Sequence, residues 1–384
     1  MMLGLLLARA GIDVIVLEKH ADFLRDFRGD TVHPSTLEVM HELGLLDGFL
    51  ARPHQQVAQL GAQIGGEFMQ LADFSRLPTR CRYIAFMPQW EFLDFLASEA
   101  RQLPRFRLLM RTEATGLLRD GPRIVGITAT APDGPLEIRA ELVVACDGRH
   151  STLREAAGLT VIDRGAPMDV LWLRLSRRDS DPGQTLGRID AGRFFITLDR
   201  GDYWQCAFVI AKGGFDAVRA AGLPAFREDL VELAPHFRDR VEEVASWDDV
   251  KLLTVAVNRL PRWYLPGLLC IGDAAHAMSP VGGVGINLAI QDAVATANLL
   301  APRLRAGQVR DDDLRALQRR RELPTRLTQA VQIAIQNRVI TRVLHAQQPV
   351  RPPLLLRLLS HSRMLRGLPA RVIGMGFRPE HVRH

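Results

Sequence analysis

The chain opens on an apolar run, Met1 to Ala8, that reads as a helix closed at the Ala10-Gly11 turn, followed by a continuous apolar strand, Val14 to Leu17, ending at Glu18. The polar stretch from Arg28 to Pro34 then leads into a second helix. Ser35 is its expected N-cap, with Glu38 at capping-box spacing and Gly44 at its close. Pro88-Gln89 begins another helix, with Phe92, Leu93, Phe95 and Leu96 facing inward. Ile124–Thr130 and Leu136–Val144 read as strands around the turn Pro132-Asp133-Gly134. From about Gly165 the texture changes to short alternating segments at 170–176, 193–198 and 203–210, the pattern of an antiparallel sheet, with a helix expected over 226–241. A buried run, Leu268 to Ile271, precedes a Gly-rich turn, and 286–345 reads as helical, interrupted at Pro302 and near Pro324. The tail from Pro349 is rich in proline and arginine, and its segment Leu354 to Leu359 is amphipathic.

Composition narrows the classes. The 384 residues exceed one usual core, so two closely packed domains are expected, and 47% hydrophobic with 24% charged content suits a globular chain. The net charge of +6 would draw nucleic acid if it were clustered. However, the basic residues are arginines apart from Lys19, Lys212 and Lys251, scattered among 43 acids with no aromatic interleaving. That excludes a nucleic-acid partner and leaves a bias toward anionic small molecules. The four cysteines show no metal or redox spacing and read as reduced core residues of a cytoplasmic protein. No signal peptide and no unbroken apolar span long enough for a bilayer is present, so stable membrane insertion is not expected. Gly-x-Ser-x-Gly and metal constellations are also missing. A chain with no strong chemical side chain of its own points to a cofactor that carries the reaction.

The chemistry concentrates in the segment from Cys270 to Asp292. Strand, Gly272-Asp273, a turn through Pro280, Gly282 and Gly283, then Gly285-Ile286-Asn287 opening a helix: this order places unpaired backbone N–H groups where an anionic ring or phosphate would sit. Asp273 is placed to accept from a ribityl or ribose hydroxyl, and the glycines admit a flat ligand. The bland alternative is an ordinary Gly-rich connection.

This segment resembles the flavin-contacting Gly-Asp motif of the FAD-dependent aromatic hydroxylases, the single-component flavoprotein monooxygenases. Two further stretches match the family in order and spacing: Val143 to Arg154, around Asp147-Gly148, and Val14 to Lys19, around Glu18. The resemblance implies an α/β fold: a Rossmann-like FAD-binding domain in two parts (1–164 and 263–345), an inserted antiparallel substrate domain (165–262) and a C-terminal tail (346–384). It implies FAD contacts at Glu18, Arg28, Gln89, Asp147, Gly148, Gly272, Asp273, Pro280, Gly282, Gly283, Gly285, Ile286 and Asn287, with the backbone at Pro280 and Gly283 bordering the reactive edge. Arg154 is expected either at a transient nicotinamide site or in a plain salt bridge, and His276 as a packed histidine bonded to backbone. Arg193, Tyr203 and Trp204 are the expected substrate contacts. The implied activity is hydroxylation of an electron-rich aromatic molecule with NADH or NADPH and O2, through a flavin hydroperoxide, by a monomer or homodimer.

Departures from the family pattern matter too. Ser279 replaces the first of two frequent prolines, which suggests an admitted water or altered oxygen contacts. Val284 stands where a lysine is common. The fold's first strand and Gly-x-Gly-x-x-Gly do not precede the opening helix, so roughly 15 to 25 further residues are expected upstream. A halogenase would carry Trp-x-Trp-x-Ile-Pro in the insert, and none occurs. A halogenase, a reductase, a quinone-precursor hydroxylase that associates with membranes and an inactive truncated flavoprotein remain as alternatives.

Overall fold

The amino-terminal run forms the helix Met2–Arg9, and Gly4 lets it pack closely: a Cβ there would lie 2.8 Å from the side chains of both Phe106 and Val16. Those two residues belong to the parallel strands Val14–Glu18 and Phe106–Met110, paired in register from Val14↔Phe106 to Glu18↔Met110. The computed structural model describes residues 1–24, 31–182, 186–348, 350–362 and 364–383. A second parallel pair joins Val143–Ala145 to Leu268–Cys270, and Tyr264–Leu265 adds antiparallel to it. The helices Met2–Arg9, Gln89–Arg101 and Gly285–Arg305 cover these strands, with Leu5, Leu37, Phe49, Leu96 and Val294 in the main core. Helix-covered parallel strands define the expected α/β cofactor-binding architecture.

The inserted region builds a 7-stranded sheet in the order Lys251–Leu253, Met168–Ser176, Tyr203–Ala211, Arg193–Asp199, Leu186–Asp190, Gln59–Ile64, Glu67–Asp73. Its pairings are antiparallel except that of Leu186–Asp190 with Gln59–Ile64. Alternation along the strands gives two faces with different neighbours. One face, with Leu171, Leu173, Phe195, Trp204, Cys206 and Phe208, packs on the helix Leu223–Leu233. The other, with Met168, Val170, Ala207 and Val209, packs against Val281 and Ile340. The last two strands come from residues 59–73, which carry no clear alternation.

Several local expectations are corrected. The helix Pro34–Glu42 takes His33 as N-cap and Pro34 in its first turn, while the Glu38 carboxylate accepts from the Arg80 N–H instead of closing a box on Ser35. Pro fixes φ and lacks a donor, so it fills a first-turn site that Ser35 would otherwise precede. Leu136–Val144 divides into Gly134–Arg139 and Val143–Ala145, which belong to different sheets. The helix of 226–241 ends at Leu233, and 3-10 turns follow. Neither proline stops its helix: Gly285–Arg305 runs through Pro302 and Asp311–Ile335 through Pro324, the break falling near Gly307, which adopts φ +61°. By composition the stretch Val281–Arg305 could cross a bilayer, but 67% of that window is buried in the protein.

The tail docks on the body. Glu380 is buried beside Arg320, with Nη2 to Oε2 at 2.6 Å, and the Glu42 carboxylate accepts from the Val382 N–H and pairs with His381. Arg357 of the helix Leu354–His361 reaches Glu67 at 2.8 Å.

Candidate active site

The carboxyl ends of the two central parallel strands lie side by side, the Ile271 N–H donating to Ala145 O at 3.1 Å. Cys146-Asp147-Gly148 and Gly272-Asp273 therefore emerge at one edge, where open α/β sheets bind ligands. Asp147 is exposed and caps the helix Thr152–Ala156 through the Leu153 N–H, and the backbone of Gly148 (φ +87°) faces open space. Met1, at the start of the first helix, lies within the electrostatic reach of both Glu18 and Cys146, which brings the Glu18 strand end to the same edge. Glu18 Oε1 accepts from the His20 N–H at 3.0 Å. Arg28 lies outside the described residues.

Gly272 adopts φ +58° at the start of the turn. Its N–H donates to Asp292 Oδ2 at 3.0 Å, and the same carboxylate takes His276 Nε2 at 2.6 Å and Arg321 Nε at 2.8 Å. All three side chains are essentially without solvent contact. Burial alone would raise the Asp292 carboxyl, but the His276 and Arg321 charges and hydrogen bonds reverse this and hold it below the usual carboxylate range. His276 is thus packed as expected, though its partner is a carboxylate where backbone was anticipated, and Trp263 lies 5.0 Å from its ring. Arg154 is buried and belongs to neither expected role: it donates to the carbonyls of Ala274 (3.1 Å) and Arg149 (2.8 Å), tying its helix to the Gly272 turn.

The turn from Pro280 to Gly285 carries two left-handed glycines, Gly282 (φ +79°) and Gly283 (φ +63°). Thr31 Oγ1 donates to Gly283 O at 2.8 Å, and a Cβ on Gly283 would fall 2.2 Å from that hydroxyl. Asn287 spends its whole side chain on the scaffold. Its Oδ1 accepts from the His33 N–H (2.9 Å) and Thr36 Oγ1 (2.7 Å), and its Nδ2 donates to Thr31 O (3.2 Å) and Gly283 O (3.4 Å). Any ligand contact at Asn287 therefore falls to its backbone. The helix Gly285–Arg305 has no side-chain cap, and its first internal bond runs from Leu288 N to Val284 O. The N–H groups of Gly285, Ile286 and Asn287 thus have no acceptor among the described residues. Gln89 opens its helix half-buried, with no side-chain partner among the described residues.

A row of glutamines that sequence reasoning missed holds the adjoining loop. Gln329 Nε2 donates to Asn258 O and Ala277 O, and Gln332 Nε2 to Ser279 O and Val281 O, both at 2.9 Å. Gln332 Oε1 accepts from the Ser279 N–H at 3.2 Å, and Gln336 Nε2 donates to Ser279 Oγ at 2.8 Å. Ser279 is 2% exposed and turned into this network, so the expectation that it admits water to the site is corrected. A proline there would lack the donor that Gln332 accepts. Gln336 begins a π-helical stretch, Gln336–Ile340, a rare conformation frequent near functional sites. Spacing of three and four among residues 329, 332 and 336 is the signal that was available, since it puts all three on one helical face.

Of the three expected substrate contacts, the structure places two away from the turn. Arg193 pairs with Asp229 (3.2 Å) and Glu232 on the helix-covered face of the sheet. Trp204 is buried on that same face, its Nε1 donating to Asp181 at 2.8 Å. Alternation makes the reason plain: residues 204, 206 and 208 face the helices, while 205, 207 and 209 face Val281. Tyr203 shares the parity of the inner face, under the Arg174 guanidinium at 4.7 Å. The apolar wall nearest the turn consists of Val170, Ala207 and Val209, with Phe194 and Ile196 packed beside them.

The cradle suits an isoalloxazine ring: uncapped helix donors, a backbone with φ values that exclude side chains, and acidic residues at the strand ends. The fold and site define a flavin-dependent oxidoreductase. The FAD binding domain family matches residues 1–331, so the chain belongs to that family. It is 31% identical over 353 residues to 6-methylpretetramide 4-monooxygenase of Streptomyces rimosus, covering 91% of this chain and 84% of the relative. Among solved structures it is similar to an anhydrotetracycline hydroxylase from Streptomyces rimosus (26% identity, TM-score 0.74, 97% of this chain and 73% of that one). It shares the fold of p-nitrophenol 4-monooxygenase from Pseudomonas putida (18% identity, TM-score 0.78, 96% and 93% covered). The protein is an FAD-dependent monooxygenase, with NAD(P)H the co-substrate typical of the family.

Proposed function

We propose that this monooxygenase hydroxylates a fused-ring phenolic compound of the polyketide type. The observation that carries the reading is the position of Val281. It lies directly before the two left-handed glycines and packs on the apolar inner face of the sheet beside Val170, Ala207 and Val209, so a flat apolar ring bound at this turn would have that face at its edge. The substrates named for the 6-methylpretetramide and anhydrotetracycline enzymes are consistent with such a shape.

When bound, FAD would supply the redox chemistry between NAD(P)H and O2. The chain's own residues bind and exclude. Asp273 and Glu18 would accept from hydroxyls of the cofactor's sugar chains, and the backbone near Gly148 would border it. Gln89 would donate to it from its helix start. The free N–H groups of Gly285 to Asn287 would stabilise negative charge on the ring system. The apolar wall keeps water from the reacting centre. We also read the protein as a monomer or homodimer of the cytoplasm without stable membrane insertion.

The test is NAD(P)H oxidation by the FAD-loaded protein against a panel of polycyclic phenols, with product mass. Gain of one oxygen atom by a fused-ring phenol supports the reading. NAD(P)H consumption that yields only hydrogen peroxide with every phenol, while a single-ring acid is hydroxylated, overturns it.

A further inference from the structure

The edge strand Glu67–Asp73 contains one extra residue. Against Gln59–Ile64 the pairing runs Gly61↔Gln70 and then Leu60↔Ala72, which leaves Leu71 without an opposite number. Three residues apart in a regular strand, Gln70 and Asp73 would face opposite sides; the inserted residue turns them to the same side. Asp73 also stands directly opposite Gln59. These three side chains, with Ser75, Arg76 and Arg366, line a cavity of about 320 Å3 on the outer side of the sheet edge.

Arg366 is the anomaly. It is 8% exposed, and its guanidinium has no acceptor among the described residues, Nε being fully buried. Gln70 Nε2 is likewise buried without a partner. A guanidinium keeps its charge at any relevant pH, and an unpaired buried charge is strongly unfavourable. The backbone nevertheless pins Arg366 to the wall, because its carbonyl accepts from the Asp73 N–H at 3.3 Å.

We propose that this cavity binds a small hydroxycarboxylate, its carboxylate on the Nη groups of Arg366 and its hydroxyl donating to Asp73. The planar guanidinium fork matches a carboxylate. Asp73 Oδ1 already accepts from the Ser75 N–H (3.0 Å) and Oγ (2.6 Å), whereas Oδ2 has no partner among the described residues and is left for a donor. Arg76 in the same wall attracts any anion alike, so phosphate serves as the control for charge alone. The cavity is distinct from the flavin turn. Arg366 precedes the helix Gly367–Gly374, which spans about 12 Å, and it is Ile373, at the far end, whose Cγ1 lies 4.0 Å from where a Gly282 Cβ would stand.

The test titrates the FAD-loaded full chain, without NAD(P)H, with lactate, propionate and inorganic phosphate, read by saturation-transfer NMR and calorimetry. No turnover is involved, so failure of the proposed hydroxylation leaves this result intact. Lactate is expected to bind, propionate several-fold more weakly, and Arg366→Gln to lose about tenfold or more in lactate affinity. Should Arg366→Gln not fold, Arg366→Lys, which keeps the charge but not the planar fork, carries the same expectation with a several-fold loss. Lactate binding that is undetectable, or unchanged in these variants, overturns the proposal, as does phosphate binding tighter than lactate.

Discussion

His276 Nε2 lies 2.6 Å from Asp292 Oδ2, and that carboxylate simultaneously holds the Gly272 N–H and Arg321 Nε. Neither side chain faces the place where a ring would sit. Asp292 therefore acts as the support of the Gly272-Asp273 turn, and its removal would leave Arg321 buried with only Glu380, 3.5 Å away, as a counter-charge among the described residues. Asp292→Ala should lose about 3–5 kcal/mol of stability and most of its bound flavin. Urea unfolding and the visible absorbance of the purified protein measure both. A loss below about 1 kcal/mol would show that the turn stands without this support.

Gly283 meets Thr31 more closely than any side chain permits. Gly283→Ala should destabilise by about 1–3 kcal/mol through overpacking and left-handed strain. Combining it with Thr31→Gly should recover the clash but not the strain, leaving a residual near 1 kcal/mol. Equal losses in the single and double variants, in a denaturation cycle, would refute the contact.

The Gln332 amide serves three main-chain groups of the loop before Gly282. Gln332→Leu leaves them buried and unpaired, with an expected loss of about 2–3 kcal/mol. The loop would also no longer hold its shape against substrate, so a larger share of NAD(P)H should end as hydrogen peroxide. The peroxide-to-product ratio reads this directly, and an unchanged ratio in a destabilised variant would separate support of the fold from positioning of Pro280.

Burial pushes the His33 imidazole down to about 4, although its Nδ1–H donates to Ile373 O at 2.7 Å. Protonation would place a second N–H where Nε2 has no partner among the described residues. The folded pKa is depressed, so the unfolded chain binds more protons between the two values. Stability is therefore full above about pH 6.5 and falls as pH drops toward about 4, by about 3 kcal/mol in all. His33→Gln should flatten that acid limb in urea titrations at successive pH values; an identical limb in both proteins would assign it to other groups.

Arg193 pairs with partly exposed acids on the helix-covered face. Arg193→Ala should cost under about 1 kcal/mol and leave kcat and KM for the aromatic substrate within twofold. A large rise in KM would put Arg193 back at the substrate.

Much of the cofactor half was legible because its signals are local. A strand ending in Gly-Asp, glycines before a helix and Glu18 after an apolar run each fix a backbone conformation by themselves. The inner and outer faces of the sheet were not legible. Trp204 and Arg193 attract attention as chemistry, but their side is set by one-residue parity and by which neighbour supplies cover, the helix Leu223–Leu233 further along the chain. The strands of 59–73 were missed for a related reason: a bulge at Leu71 breaks the alternation that betrays a strand. Pro302 misled because it lies in the last turn of its helix, where little ladder remains to break, and Pro324 because the buried turn around it, with Arg321 and Thr325, outweighs the loss of a single helical hydrogen bond.

Within the loop the glutamines grip only main-chain atoms and the Ser279 hydroxyl, so nearly every side chain between Ala277 and Val281 is released from duty in maintaining the loop's path. Val281 can thus be exchanged for larger or smaller residues while the surrounding trace stays put. Evolution, or an engineer reshaping the range of accepted ring systems, has a dial at that position that turns without loosening the frame around it.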